Sequence, residues 1–153
     1  MSVAQHADSR GSRARKVSAG TEELRLRSEL DSLDAVDKAT LRIARRAGFS
    51  REAATAIAMA MIEAVTNAIV HGNRRSSDKA VLVRYHWAPG KLSVDVHDDG
   101  EGFDVSCVFD PTDPGRCMAC SGRGIFIMRQ IMDTVDFDMP KGCGTTVTMT
   151  KER

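Results

Sequence analysis

The sequence predicts a two-layer α/β sandwich, with helices on one face of a mixed, mostly antiparallel sheet. Three observations predict it. First, Leu24 and Leu26, then Val81, Val83 and Tyr85, then Leu92, Val94 and Val96 alternate with polar neighbours. That is the period of half-buried strands. Second, the stretch from Ile57 to Asn73 is rich in Ala and meets no helix breaker before Gly72. It is apolar nearly all round, which marks a buried helix. Third, Ala88-Pro-Gly90 turns the chain between two alternating stretches, which makes a hairpin.

Each element follows in order. Met1 to Gly20 holds Ser, Arg, Gly and Ala with scarcely any large apolar residue, and reads as a disordered basic tail. One domain then runs from residue 21 to residue 153. Glu22 to Leu30 alternates as a strand. Leu33 to Ala47 has helical periodicity through Leu33, Val36, Leu41 and Ile43, with Gly48 after its end. Ser50 is the expected N-cap of the helix that runs into the long apolar stretch. There Ile57, Met61, Val65 and Ile69 form one face, and Glu63, Asn67 and His71 fall roughly opposite. A carboxylate and an amide in a buried helix are costly unless something pairs with them. Val81 to Trp87 and Leu92 to Val96 form the hairpin, and Asp98 continues the inward series of the second strand. Phe103 to Ser121 lacks periodicity and is long for a loop in a compact domain, which predicts a lid over Asp104 to Cys120. Gly122-Arg-Gly124 opens a helix from Ile125 to Met132. Thr134 to Asp138 and Thr145 to Thr150 are the last strands.

Bulk properties narrow the function. The chain's 153 residues suffice for one domain with a core. A net charge of +1 gives no broad field for nucleic acid. The apolar run from Ala56 to Ile62 is too short to span a bilayer, and no apolar segment follows the first Met. A cytoplasmic location with reduced thiols is expected, and no membrane partner.

Three motifs carry chemistry. Glu63 and Asn67 could hold a cation with a polyanionic ligand. Asp98-x-Gly100-x-Gly102 ends a strand with a carboxylate that only accepts hydrogen bonds, fit for an exocyclic amine such as that of adenine. Its glycines let the backbone approach a flat ring. Gly122-Arg123-Gly124 opens a helix, where free amides bind phosphate. Each motif has an ordinary structural explanation alone: a core helix, a Gly-rich turn, a helix start after a loop.

In this order, ending in Gly144-Thr-Thr146, the motifs resemble those of the GHKL ATPase superfamily, with its Bergerat-type ATP-binding fold. The stretch Glu63-Ala-Val-Thr-Asn67-Ala-Ile-Val-His71-Gly-Asn is most similar to the anti-sigma-factor serine/threonine kinases of bacteria. The resemblance covers about Glu22 to Lys151. It implies ATP and Mg²⁺, with Asn67 as a ligand of the metal. It implies Glu63 as the base for the attacking hydroxyl, Asp98 as the reader of adenine and Thr146 as support at the adenine end. His71, Gly100 and Gly102 complete the matched boxes. Amides around Gly122, Arg123 and Gly124 would hold phosphate, while the side chains of Arg123 and Lys79 read better as solvated charges. The partners implied are a sigma factor, a small antagonist protein that is phosphorylated, and a second copy of the chain as a homodimer. Two rivals stand beside this reading: a slow ATP-binding switch, and a module that only sequesters a regulator.

Cys117-Met-Ala-Cys120, with Cys107 nearby, departs from the family pattern. It is half of a zinc site or a redox pair at most, since no second pair and no thioredoxin-like context accompanies it.

Overall fold

The computed structural model describes residues 17–102 and 122–153. In chain order these form β1 (Gly20–Arg27), α1 (Leu33–Arg46), α2 (Arg51–Asn67), β2 (Ala80–Ala88), β3 (Lys91–Asp98), α3 (Gly122–Ile131), β4 (Thr134–Asp138) and β5 (Thr145–Glu152). A short 3₁₀ turn, Leu30–Ser32, precedes α1, and a π-helical turn, Ala68–Gly72, continues α2. The strands make one sheet in the order β1-β2-β3-β5-β4, and all four pairings are antiparallel. The predicted two-layer architecture is therefore observed.

Strand parity sets the core. Val83, Val96 and Val147 sit side by side across three strands, as do Tyr85, Val94 and Met149. All six are buried. The alternate residues Arg84, Asp95 and Thr148 occupy the other face, where Thr148 Oγ1 donates to Asp95 Oδ1 at 2.8 Å. At the end of this register Asp98 lies between Val81 and Thr145, on the inward face as its parity requires.

Helix α2 lies between α1 and α3 and touches both. Ser50 caps it, with Oγ accepting from the Ala53 N–H at 3.1 Å. Ile57, Met61, Val65 and Ile69 are fully buried, as their spacing predicts. The helix and its π turn, 22 residues in all, are long and apolar enough to cross a membrane by composition alone. Here that apolar surface forms the core of the sandwich. Helix α1 is pinned to the sheet by a buried chain of hydroxyls. Thr40 Oγ1 donates to the Val36 carbonyl at 2.7 Å and lies 2.8 Å from Tyr85 Oη, so Tyr85 is the donor to Thr40.

Three differences from the expected elements matter. The tail reading extends too far: the Ser18 N–H donates to the Arg46 carbonyl at 3.2 Å, and Gly20 already belongs to β1. Residues 1–16 lie outside the described residues, as do the lid and the pair Cys117 and Cys120. The apolar helix does not stay α-helical to Asn73. Past Asn67 it widens, and the Asn73 N–H bonds the Ala68 carbonyl at 2.7 Å. Finally, α3 begins at Gly122, so the Gly-x-Gly stretch lies inside its first turn.

Candidate functional site

A cavity of about 280 Å³ lies between α2, its π turn, α3 and the inward face of β3 and β5. It sits at the lower edge of the roughly 300–1,000 Å³ typical of small-molecule pockets. Ala64, Ala68, Val96, Ile125, Phe137 and Val147 make its apolar walls. Asn67, His71, Asp98 and Thr145 are its polar groups, with Gly72, Arg74 and Gly102 completing the lining. Flat apolar walls with few polar groups suit an aromatic base.

The closed end is built around Asp98. This residue is 5% exposed. The Gly100 N–H donates to its Oδ1 at 2.9 Å, and the Thr145 backbone N–H donates to the carboxylate as well. Burial nevertheless pushes its pKa above the ordinary carboxylate value, and those two hydrogen bonds only partly oppose the shift. An ionised carboxylate here is short of donors, which an amine of a ligand would supply. Beside it, Thr145 Oγ1 is buried with no hydrogen-bond partner among the described residues. A carboxylate with room for a further donor and a hydroxyl without a partner among the described residues, side by side on one cavity wall, fit the edge of an adenine ring. The backbone closes tightly around them. Gly144 has φ 78°, and a Cβ there would run into the Asp98 carbonyl.

The open end is built on α2 and α3. Glu63 and Asn67 are half-buried one helical turn apart. A Cβ on Gly124 would lie 2.8 Å from Glu63 Oε2 and 3.3 Å from Asn67 Nδ2. The absence of a side chain at Gly124 is thus what lets α3 meet these two groups. Among the described residues no cluster of three or more His, Cys, Asp or Glu could hold a metal. A single amide suits Mg²⁺, which keeps several waters and takes the rest of its ligands from phosphates.

The expected residues distribute as follows. Asn67, His71, Asp98 and Gly102 line the cavity, and Glu63 and Gly124 adjoin Asn67. Gly100 packs beneath Asp98, against the Gly72 carbonyl. Gly122 and exposed Arg123 stand at the start of α3, outside the lining. Thr146 is a correction. It points to the opposite sheet face, where its Oγ1 lies 3.0 Å from His97 Nδ1. Thr145 takes the place in the cavity. Strand parity could have found it, since Val147 and Met149 point inward and Thr145 shares their face. Arg74 was also missed. It carries φ 53° and lies 3.4 Å from Glu101 across the cavity mouth.

A larger hollow, about 450 Å³, lies on the opposite sheet face among Arg25, Arg84, Asp95, His97 and Asp99. Within it His97 Nε2 stands 3.6 Å from Asp99 Oδ1, while Arg84 pairs with Glu23 outside the lining. Its apolar lining comes from Ala80 and Leu82 alone, and neither Glu63 nor Asn67 lines it.

Comparison with known proteins places the chain in a family. Residues 26–151 match the family described as the histidine kinase-like ATPase domain. The chain is 34% identical over 115 residues to the serine-protein kinase RsbW of Listeria innocua, covering 71% of this chain and 72% of that protein. It is 32% identical over 95 residues to the anti-sigma F factor of Clostridium botulinum, covering 61% of this chain and 66% of that one. Its fold is similar to that in the crystal structure of the RsbU and RsbW domains of Rv1364c from Mycobacterium tuberculosis, with a TM-score of 0.60 at 20% identity. That match covers 87% of this chain and 32% of the longer polypeptide.

Proposed function

This chain belongs to the histidine kinase-like ATPase domain family, and from that premise we propose that it is a protein serine/threonine kinase that sequesters a sigma factor and phosphorylates a small antagonist protein. The observation that carries the reading is the convergence of Glu63 and Asn67 on Gly124 at the open end of a cavity whose closed end holds Asp98.

The roles follow from position. Asp98 accepts the exocyclic amine of the base, and the free hydroxyl of Thr145 meets the ring edge. The apolar walls hold the ring and exclude water. The phosphates run toward α2 and the start of α3, where Gly124 leaves room beside Asn67. When bound, Mg²⁺ would be held by Asn67 and would neutralise charge on the phosphates. Glu63 accepts the proton of the incoming hydroxyl, a step worth about 10²–10⁴ in rate. Positioning and electrostatics do the rest, as in phosphoryl transfer generally. The antagonist must therefore present a Ser or Thr hydroxyl beside Glu63, at the mouth. The names of the relatives support a sigma factor as the second partner.

The test is a single-turnover assay with labelled ATP, Mg²⁺ and the purified antagonist. Transfer of label to a Ser or Thr of the antagonist is expected. A chain that binds ATP and transfers nothing to any antagonist would replace the kinase reading with an ATP-binding switch.

A further inference from the structure

Asn73 is 1% exposed, and no motif assigns it a role. Its Nδ2 donates to Ser28 Oγ at 2.7 Å and to the Ala80 carbonyl at 2.9 Å. Its Oδ1 accepts the Asp99 N–H at 2.9 Å. Two acceptors on one side and one donor on the other fix which way the amide points. Both amide hydrogens and the amide oxygen are used across distant parts of the chain: the residue after β1, the first residue of β2 and the residue after β3. Ser28 is itself buried and donates to the Lys79 carbonyl at 3.0 Å. The main chain of Asn73 adds a fourth tie, its N–H closing the π turn on Ala68.

The consequence lies one residue away. Asp99 directly follows Asp98, and its N–H belongs to the peptide that leaves Asp98. Gly72, directly before Asn73, lies against the Asp98 carboxylate, and its carbonyl lies against Gly100. Residues 72 and 73 thus hold residues 98, 99 and 100 from one side.

We infer that Asn73 is a positioning residue for nucleotide: it fixes the peptide after Asp98, and so aims the buried carboxylate at the base. The inference rests on the nucleotide reading of the cavity. The π turn then has a function, because only the widened helix end delivers Asn73 to the ends of three strands. The Ala80 carbonyl suffices to orient the amide, Ser28 ties it to the end of β1, and the Asp99 N–H is what the amide acts on.

Asn73→Ala takes the side-chain partner from the part-buried Asp99 N–H and Ala80 carbonyl, which is worth about a tenfold loss of affinity if it displaces Asp98. Ser28→Ala removes a strand-side bond of the same network but leaves the Asp99 contact. The experiment measures ATP affinity by calorimetric titration and stability by urea unfolding, for wild type and both variants. Both variants should lose stability. Only Asn73→Ala should lose about tenfold in ATP affinity, with Ser28→Ala staying within about twofold of wild type. Wild-type affinity in Asn73→Ala, or equal losses in both variants, would leave Asn73 a purely structural residue. A wild type that binds no ATP would bring down the nucleotide reading itself and the inference with it. Should Asn73→Ala not fold, amide hydrogen exchange on the wild type decides. The Asp99 N–H should be protected without nucleotide and more so with it, and exchange at the rate of a free amide would overturn the inference.

Discussion

At Asp98, burial and charge are in conflict. The carboxylate lies at an inward strand position, with two backbone donors and a pKa raised by desolvation. A group whose folded pKa is raised gives stability that is full below its ordinary pKa and lost as pH rises through the folded value. At neutral pH the ionised group therefore destabilises the empty protein. Asp98→Asn removes that charge and keeps an oxygen for the Gly100 N–H. It should unfold at the same temperature as wild type or higher at pH 7, and scanning calorimetry should show its advantage shrinking toward pH 4. The same change places an amide donor before the donor of the base and removes a charge-assisted bond. ATP affinity should fall by about 10–100-fold. Equal affinities by titration would remove Asp98 from the base site. The placement of this residue was legible in the sequence, because its parity with Leu92, Val94 and Val96 puts it inward. Thr145 was legible by the same rule, yet the motif pattern drew attention to Thr146. The αL backbone of Arg74 and Arg75 was not legible, since neither residue type favours it.

At the scale of elements, the helices dock through few polar contacts, and one of these reports on the fold. Tyr85 is fully buried on β2 and bonds Thr40 of α1. Burial raises its pKa from 10.0 to about 12. The unfolded chain therefore releases this proton at a lower pH than the folded chain. Stability from this group is full below pH 10 and is lost as pH climbs toward about 12. Tyr85→Phe should lose about 1 kcal/mol at neutral pH through the missing hydrogen bond. It should also lack this part of the alkaline loss seen in wild type. Urea midpoints at pH 7 and pH 10.5 check both, and identical pH slopes in the two proteins would show that Tyr85 ionises freely. Strands and helices were readable because their periods differ, two residues against 3.6. The π turn was not. Ala68 to Gly72 continues the composition of α2, and what widens it there is tertiary: the approach to β3 and the bonds of Asn73.

At the scale of the molecule, the sandwich divides one cavity between two sources. In the proposed reading the sheet supplies the group that reads the base, and the helices supply the groups that meet phosphate. Binding and transfer should therefore be separable by mutation. Glu63 stands one turn before Asn67 on α2, and both face Gly124. Glu63→Gln is nearly isosteric and leaves Asp98, Thr145 and Asn67 untouched, so ATP should bind as in wild type. Label transfer to the antagonist should fall by about 10²–10⁴, because an amide cannot take the hydroxyl proton. Asn67→Ala removes an oxygen from the metal instead, so Mg²⁺-dependent ATP binding should weaken before any transfer is measured. Residues four apart on one helix thus give opposite binding results. The readout is a pair of matched curves for each variant: ATP titration with and without Mg²⁺, and single-turnover transfer with saturating antagonist. If Glu63→Gln transfers at the wild-type rate, the base is another group. If Asn67→Ala binds ATP equally well with and without Mg²⁺, and as tightly as wild type does, the metal lies elsewhere. Both results as predicted would place proton transfer and metal binding on one face of α2, a helical turn apart.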